Sequence, residues 1–231
     1  MPNSPDEATL ARVLAVAVHE IRNPMSVVQG WIGTVLRDKR TEVPAQHREW
    51  LELALKSCGR IKEVLEEMSA YSNLADGETV LRRTSTNFAT LLTQAIAEVP
   101  RSPEVGATVE LSTGDPAAIV NADVFWLKKA FSSIVIALGR EVAPGGTLYV
   151  EERSGDYQGK PASWILMGDA NQLEILRRDD KDRLGWFDDK RGNLGLSLWV
   201  ARWVLDSHEG GLWAPVSAPK GGGAIVALPH A

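Results

Sequence analysis

The chain of 231 residues carries a formal net charge of −5, so its electrostatics give no reason to expect a nucleic acid partner. Its composition, 24% charged and 44% hydrophobic, is that of a globular protein, and no apolar run reaches the roughly 18 residues that a membrane span needs. Cys58 is the single cysteine, which excludes an intrachain disulfide and favours a reducing, cytoplasmic location.

Two long helices are predicted at the start of the chain. Apolar residues recur at spacings of three, four and seven over residues 6–40, and again over residues 45–74. Two rods of this length cannot bury both apolar stripes within a single hairpin. Pairing with a second copy of the chain into a four-helix bundle is therefore the predicted arrangement.

The pattern changes after residues 75–78, which read as a linker, and helices then alternate with strands. The predicted helices are 87–99, 123–142 and 194–207, and the predicted strands are 108–112, 117–120, 147–153, 163–167, 211–216 and 223–228. Residues 170–193 are polar and poorly periodic, which predicts a mobile loop. Helices laid on a mixed sheet form an α/β sandwich, so the sequence predicts two domains, 1–76 and 77–231.

The segment 19–24 within the first helix combines side chains with complementary chemistry. An unperturbed imidazole is largely neutral at pH 7, so His19 can act as a nucleophile. Glu20 is placed to accept the proton of one ring nitrogen, which leaves the lone pair of the other nitrogen available. His-Glu also begins a zinc-protease pattern, but Asn23 stands where the second histidine would be, so no metal site is predicted.

The string His-Glu-Ile-Arg-Asn-Pro at 19–24 resembles the H-box of sensor histidine kinases, in which the histidine carries the phosphoryl group. Segments 121–127, 144–148, 194–198 and 207–211 resemble the surroundings of the nucleotide motifs of the same family, so the resemblance covers nearly the whole chain. It implies an α+β fold, with a helical hairpin in a dimeric four-helix bundle followed by an α/β sandwich of the histidine-kinase ATPase type. It also implies that His19 is the phosphoacceptor, that Glu20 is a general base that orients the ring, and that Asn23 positions water or an acyl phosphate.

The family's three nucleotide motifs are all altered in this sequence. The position of the Mg²⁺-binding asparagine holds Ile136, or Ala137 after a shift of one residue, and neither side chain offers an oxygen ligand. The first glycine box keeps Asp169 but loses both glycines, so Asp169 is either an adenine-reading residue or a turn residue at a strand end. The second glycine box keeps Gly195, with Gly192 displaced by one position. Together these changes predict that ATP and Mg²⁺ bind weakly, abnormally or not at all.

The predicted function is phosphorelay signalling, in which a phosphoryl group passes through His19 to the aspartate of a response regulator. The predicted partners are a response-regulator receiver domain, an upstream kinase and a second copy of the chain. Two alternatives remain open: an active histidine kinase that phosphorylates its own His19 with a divergent ATP site, and a non-catalytic pseudokinase scaffold. The intact H-box argues against the scaffold, and the altered nucleotide motifs argue against the autokinase.

Overall fold

The computed structural model describes residues 5–38, 43–75, 80–99, 107–178, 184–193, 195–216 and 221–231. The chain divides into two compact units, Met1–Val80 and Leu81–Ala231, whereas the sequence pattern placed the boundary between residues 76 and 77. Residues 76–78 of the predicted linker lie outside the described ranges. Within those ranges, no helix combines the length and the apolar character that crossing a bilayer requires.

The first unit contains two long helices, α1 (Pro5–Arg37) and α2 (Ala45–Ala75), as the apolar periodicity predicted. α1 continues without interruption through Pro24, and the end of the predicted helix at residues 39–40 lies outside the described ranges. Val18 of α1 and Leu65 of α2 are buried between the helices, because their repeats of three and four bring them to the shared face.

Hydrogen bonds between the two helices show that they run antiparallel. A guanidinium nitrogen of Arg48, near the start of α2, donates to the carbonyl oxygen of Leu36, near the end of α1. Eleven large apolar side chains of this hairpin are nevertheless at least 40% exposed: Val13, Val16, Ile21, Val27, Val28, Trp31, Val35, Trp50, Leu53, Ile61 and Val64. The hairpin therefore has more apolar surface than its own two helices bury.

The second unit is built on a mixed sheet of six strands. Its strands are β2 (Thr108–Ser112), β4 (Thr147–Tyr157), β5 (Lys160–Gly168), β6 (Leu184–Trp186), β7 (Gly211–Pro215) and β8 (Ala224–Pro229), in the order β2-β4-β5-β8-β7-β6. β2 and β4 are parallel, and the other pairs are antiparallel. The short strands β1 (Thr84–Asn87) and β3 (Ile119–Ala122) form a separate antiparallel pair. β1 falls in a segment for which the sequence pattern predicted no strand.

Three helices cover one face of this sheet: α3 (Phe88–Ala97), α4 (Val124–Gly139) and α6 (Gly195–Ser207). α4 lies between the other two and contacts both of them as well as the sheet. Phe88 of α3 and Phe131 of α4 are fully buried, with ring centroids 5.9 Å apart. Burial of one such large apolar side chain contributes about 1.5–3 kcal/mol. The layer between the three helices and the sheet, which contains both rings, is therefore a major part of the hydrophobic core of the unit. The predicted α/β sandwich is confirmed.

The predicted loop is wrong for residues 170–178 and 184–193, and its residues 179–183 lie outside the described ranges. The segment contains the helix α5 (Ala170–Arg178), the strand β6 and a 3₁₀ turn over Arg191–Asn193. α5 packs on the sheet face opposite the three helices, where Leu173 and Leu176 join a buried apolar cluster. Only these two apolar residues of α5 are buried, too few to produce a clear helical period in so polar a segment.

A buried histidine connects the ends of α4 and α6. The backbone N–H of Asp123, the N-cap residue of α4, donates to Nε2 of His208 over 3.0 Å. Nδ1 of His208 lies 2.7 Å from the carbonyl oxygen of Val204 and therefore carries the proton that it donates. Burial lowers the pKa of His208 and the charge of Arg83 lowers it further, whereas the Val204 hydrogen bond and the charge of Asp123 raise it. The neutral ring is thus the form that the fold requires.

This arrangement predicts that acid destabilises the second unit. Because the folded pKa of His208 lies below its usual value of 6.5, the unfolded chain binds the extra proton first, and stability falls as the pH drops below about 6.5. We expect the urea midpoint of the full chain to decrease between pH 7 and pH 5.5. His208→Gln, whose amide oxygen can accept the same hydrogen bond without titrating, should remove most of this decrease. An equal decrease in the variant would assign the acid sensitivity to other groups.

Candidate functional site

His19 and Glu20 lie near the middle of α1, on the surface of the hairpin. Their side chains are 70% and 74% exposed, and Nδ1 of His19 is 3.6 Å from a carboxylate oxygen of Glu20. This separation is longer than a hydrogen bond, so the two side chains are neighbours on the surface. The exposed ring is therefore accessible to a second protein, and the neighbouring carboxylate favours a proton on Nδ1, which leaves Nε2 as the nucleophile.

Asn23 lies one helical turn beyond His19, on the same face of α1, because residues four apart are neighbours on a helix surface. Arg22 lies closer to the boundary with α2, where its guanidinium donates to Oγ of Ser69 over 3.1 Å. This hydrogen bond ties the two helices together beside the histidine. One exposed surface of α1 thus carries the three residues predicted for phosphoryl chemistry, His19, Glu20 and Asn23. The hydrogen bond of Arg22 to α2 stabilises the helix beside them.

The predicted nucleotide residues are arranged differently, because the glycine loop 191–193 rests directly on α4. Gly192 adopts a left-handed conformation, with φ at 58°, and a Cβ atom added to it would lie 2.5 Å from Cα of Ala137. Its carbonyl oxygen accepts a 2.8 Å hydrogen bond from Arg140, near the end of α4. In the family's arrangement the phosphates lie at this loop and the metal-binding position lies on this helix. Among the described residues, the loop backbone at Gly192 therefore packs directly against the backbone of α4 at Ala137.

The side chain of Arg191 holds the loop in this position. It is only 2% exposed and donates to both carboxylate oxygens of Glu141, through Nε at 3.1 and 3.0 Å and through Nη2. Its Nη1 donates to the carbonyl oxygen of Gly223 over 2.6 Å, and its guanidinium lies 5.0 Å from the ring centroid of Phe187. A charged arginine is buried only when it is paired in this way. The pair therefore holds the start of the glycine loop next to the C-terminal end of α4.

Asp169 has a structural role at the start of α5. Its carboxylate accepts the backbone N–H of Gln172 over 2.9 Å, and the side-chain oxygen of Gln172 accepts the backbone N–H of Asp169 over 2.8 Å. This reciprocal pair is a capping box, which satisfies two donors at the helix N-terminus. The sequence left two interpretations of Asp169 open, an adenine-reading residue and a turn residue at a strand end. The observed hydrogen bonds support the turn residue.

A cavity of about 300 Å³ lies beside Asp169, lined by Val142, Ala143, Gly146, Thr147, Tyr149, Ala170 and Asn171. None of these described lining residues belongs to the glycine loop. The hydrocarbon side chains of Ile136 and Ala137 offer no oxygen ligand to a metal ion. Within the described part of the chain, the residues at the predicted nucleotide site therefore do not provide the ligands that Mg²⁺-ATP needs. Sequence reasoning missed the pairing of Arg191 with Glu141, because the two residues are fifty positions apart in the chain.

Comparison with known proteins places these features in a family. Residues 9–77 match the model of the His Kinase A (phospho-acceptor) domain. The chain is 24% identical over 224 residues to the signal transduction histidine-protein kinase AtoS of Escherichia coli, a match that covers 96% of this chain and 34% of AtoS. It is 21% identical over 233 residues to the circadian input-output histidine kinase CikA of Synechococcus elongatus, covering 96% of this chain and 30% of CikA.

Two solved structures share the fold. The full-length kinase ShkA, in complex with AMPPNP, superimposes with a TM-score of 0.66 at 17% identity, over 95% of this chain and 46% of ShkA. The histidine kinase AdeS of Acinetobacter baumannii superimposes with a TM-score of 0.54 at 16% identity, over 92% of this chain and 98% of that structure. The chain thus spans about a third of the length of AtoS and CikA, and nearly half that of ShkA.

The fold and the exposed H-box define the catalytic core of a sensor histidine kinase, a helical phosphoacceptor hairpin followed by an α/β domain. Residues 9–77 contain the phospho-acceptor domain of histidine kinases, and the chain as a whole is similar to histidine kinases in sequence and fold. The predicted family and fold class are confirmed.

Proposed function

We propose that this protein relays phosphoryl groups through His19, to and from the aspartate of a response-regulator receiver domain, without using ATP itself. The single observation that supports this most strongly is the contrast between its two sites. The imidazole of His19 is 70% exposed beside Glu20, whereas the glycine loop of the second unit is closed onto α4. The acceptor is accessible to a donor protein, whereas the loop expected to hold the phosphates of a nucleotide packs against α4.

The proposed transfer follows from the geometry around His19. Nε2 attacks the phosphorus of the aspartyl phosphate on the receiver, an N–P bond forms, and the acyl P–O bond breaks to release the receiver's carboxylate. The ring would then carry a positive charge, and Glu20 accepts its Nδ1 proton as a general base. The amide of Asn23, one turn away on the same face, positions the incoming acyl phosphate, or water in the hydrolytic reaction. The same steps in reverse pass the group to a second receiver.

The proposed assembly is a homodimer formed by the hairpin. Its exposed apolar residues, among them Ile21, Val28 and Trp31, are 44%, 47% and 67% exposed in one chain. A surface of this kind is normally covered, and packing two hairpins into a four-helix bundle covers it symmetrically. A receiver domain, and an upstream kinase that charges it, are the proposed partners. The single Cys58, which is buried and free, is consistent with the reducing compartment that we propose.

A comparison of phosphoryl donors tests the proposal. The full-length chain is incubated with γ-labelled ATP and Mg²⁺, or with receiver domains from the same genome that carry label from acetyl phosphate. We expect acid-labile label on the chain from at least one charged receiver and none from ATP. Titration with Mg²⁺-ATP in a calorimeter should show no binding heat.

Two outcomes would overturn the relay. Self-labelling by ATP at His19 would make the protein an autokinase with a divergent nucleotide site. Failure of every receiver in the genome to exchange label with the chain would instead favour a pseudokinase scaffold. Binding of Mg²⁺-ATP without self-labelling would contradict only the conclusion that the glycine loop excludes nucleotide. The relay itself would stand, because exchange of label with receivers is measured separately.

A further inference from the structure

The outer face of the six-stranded sheet, on the side away from α3, α4 and α6, carries an unusual cluster of aromatic side chains. Trp164 of β5 and Trp213 of β7 are stacked, with ring centroids 6.1 Å apart and planes inclined by 29°. Tyr157 meets both edge-on, at 5.8 and 5.5 Å. The indole N–H of Trp164 donates to the carbonyl oxygen of Asp156, which fixes the orientation of its ring. The cluster is therefore ordered before any ligand arrives.

A cavity of about 250 Å³ opens between this cluster and α5. Its floor consists of the buried side chains Trp164, Leu166, Leu176 and Ile225, and its rim of the more exposed Arg153, Ser154, Arg177 and Leu184. An apolar cavity of about 150 Å³ is sufficient for benzene, so this one accommodates a single aromatic ring with a short substituent. A mostly apolar pocket with a few polar groups at one side is the usual form of a small-molecule site.

The charges at the rim favour an anion. Arg153 and Arg177 both donate to the carboxylate of Glu151. Although burial raises it, the hydrogen bonds and charges of these two arginines together lower the pKa of Glu151, so this carboxylate is ionised at neutral pH. Two guanidinium groups and one carboxylate leave one positive charge in excess. Arg153 is bound to Glu151 through Nε, and its amino groups can form the parallel hydrogen bonds that a second carboxylate accepts.

We propose that this cavity binds a monocyclic aromatic carboxylate, with the ring against Trp164 and the carboxylate at Arg153 and Arg177. The geometry assigns the ring to the apolar floor of four buried side chains and the acid to the charged rim. Such a ligand would connect β4, β5 and β8 with α5. The site lies outside both the phosphoacceptor surface and the glycine loop, so it does not depend on the relay.

The test uses phenylacetate as the probe and the indole N–H resonance of Trp164 as the local reporter, assigned by its loss in Trp164→Phe. Titration of the full-length protein should shift this resonance saturably. Arg153→Met keeps the aliphatic stem and removes the charge, and it should weaken binding by about tenfold or more, because a hydrogen bond to a charged group is lost. Ser154→Phe, at the exposed rim, should block the cavity.

Arg178→Met is the matched control. Arg178 neighbours Arg177 but pairs with Glu174 and does not line the cavity, so its variant should bind phenylacetate like the wild type. Toluene, which has the ring without the charge, should bind at least tenfold more weakly than phenylacetate. The proposal is overturned if phenylacetate leaves the Trp164 resonance unchanged at millimolar concentration. Equal affinities of Arg153→Met and wild type, or of toluene and phenylacetate, would also overturn it.

Discussion

His19→Gln should abolish labelling of the chain by a charged receiver domain, with a loss of at least about a thousandfold. Glutamine offers no basic nitrogen, so no N–P bond can form at that position. Because the side chain of His19 is 70% exposed and contacts only Glu20 among the described ion pairs, the substitution should leave the helices intact. Scintillation counting of acid-labile label on the full-length protein measures the effect, and circular dichroism checks that the helical content is retained.

His47→Gln is the matched control for this experiment. His47 is an exposed histidine of α2, in the same hairpin, whose ring lies 5.2 Å from that of Trp50. Its loss should leave the labelling rate within about twofold of the wild type, since a surface substitution away from the site changes little. Wild-type labelling of His19→Gln would show that a different residue accepts the phosphoryl group. Loss of labelling in His47→Gln would mean that the receiver docks near the turn of the hairpin.

Glu141→Ala should destabilise the second unit by about 3 kcal/mol, because it leaves the charge of Arg191 buried without a partner. The expected value is at the lower end of the range for buried pairs, since the side chain of Glu141 is itself 29% exposed. The urea midpoint of the full-length chain measures the loss, followed by tryptophan fluorescence. Six of the eight tryptophans lie in the second unit, so the signal reports mainly on that unit.

Two further variants define what such a loss would mean. Arg191→Met removes the buried charge itself, so no unpaired cation remains in the interior. It should therefore destabilise the second unit by less than Glu141→Ala does. Glu174→Ala breaks the exposed pair with Arg178 on α5 and should change stability by about 0.5 kcal/mol or less. A loss below about 1 kcal/mol for Glu141→Ala would show that water compensates Arg191 and that this pair does not hold the glycine loop.

The elements that the sequence predicted well are those in which one periodic pattern determines the structure. α1 and α2 repeat apolar residues over some thirty positions each, and tertiary contacts cannot easily override so long a pattern. The residues of the H-box follow the same rule in their placement, and their roles in phosphoryl transfer stay a prediction. His19, Glu20 and Asn23 lie within five consecutive residues of one helix, so helical geometry alone brings them together.

The parts that the sequence did not predict depend on contacts between distant residues. Arg191 pairs with Glu141 fifty positions earlier, and no local pattern indicates such a partner. α5 depends on a sheet face formed by strands on both sides of it in the chain. One local signal was available: Asp169 and Gln172 have the spacing of a capping box, which predicts a helix start where a loop was expected.

The contact between Gly192 and α4 limits which single substitutions could give this domain a metal-binding nucleotide site. Ala137→Asn or Ile136→Asn would supply an oxygen ligand, but the loop backbone already occupies the space beside that helix. The loop would first have to lose its contacts with Glu141 and Arg140. Loss of these contacts alone should lower the stability of the second unit and should not create activity. Under the proposed function, a single substitution at either position therefore does not create a nucleotide-dependent enzyme. The packing of the loop against α4 means that several residues would have to change together, whereas the exposed residues around His19 can each be replaced alone.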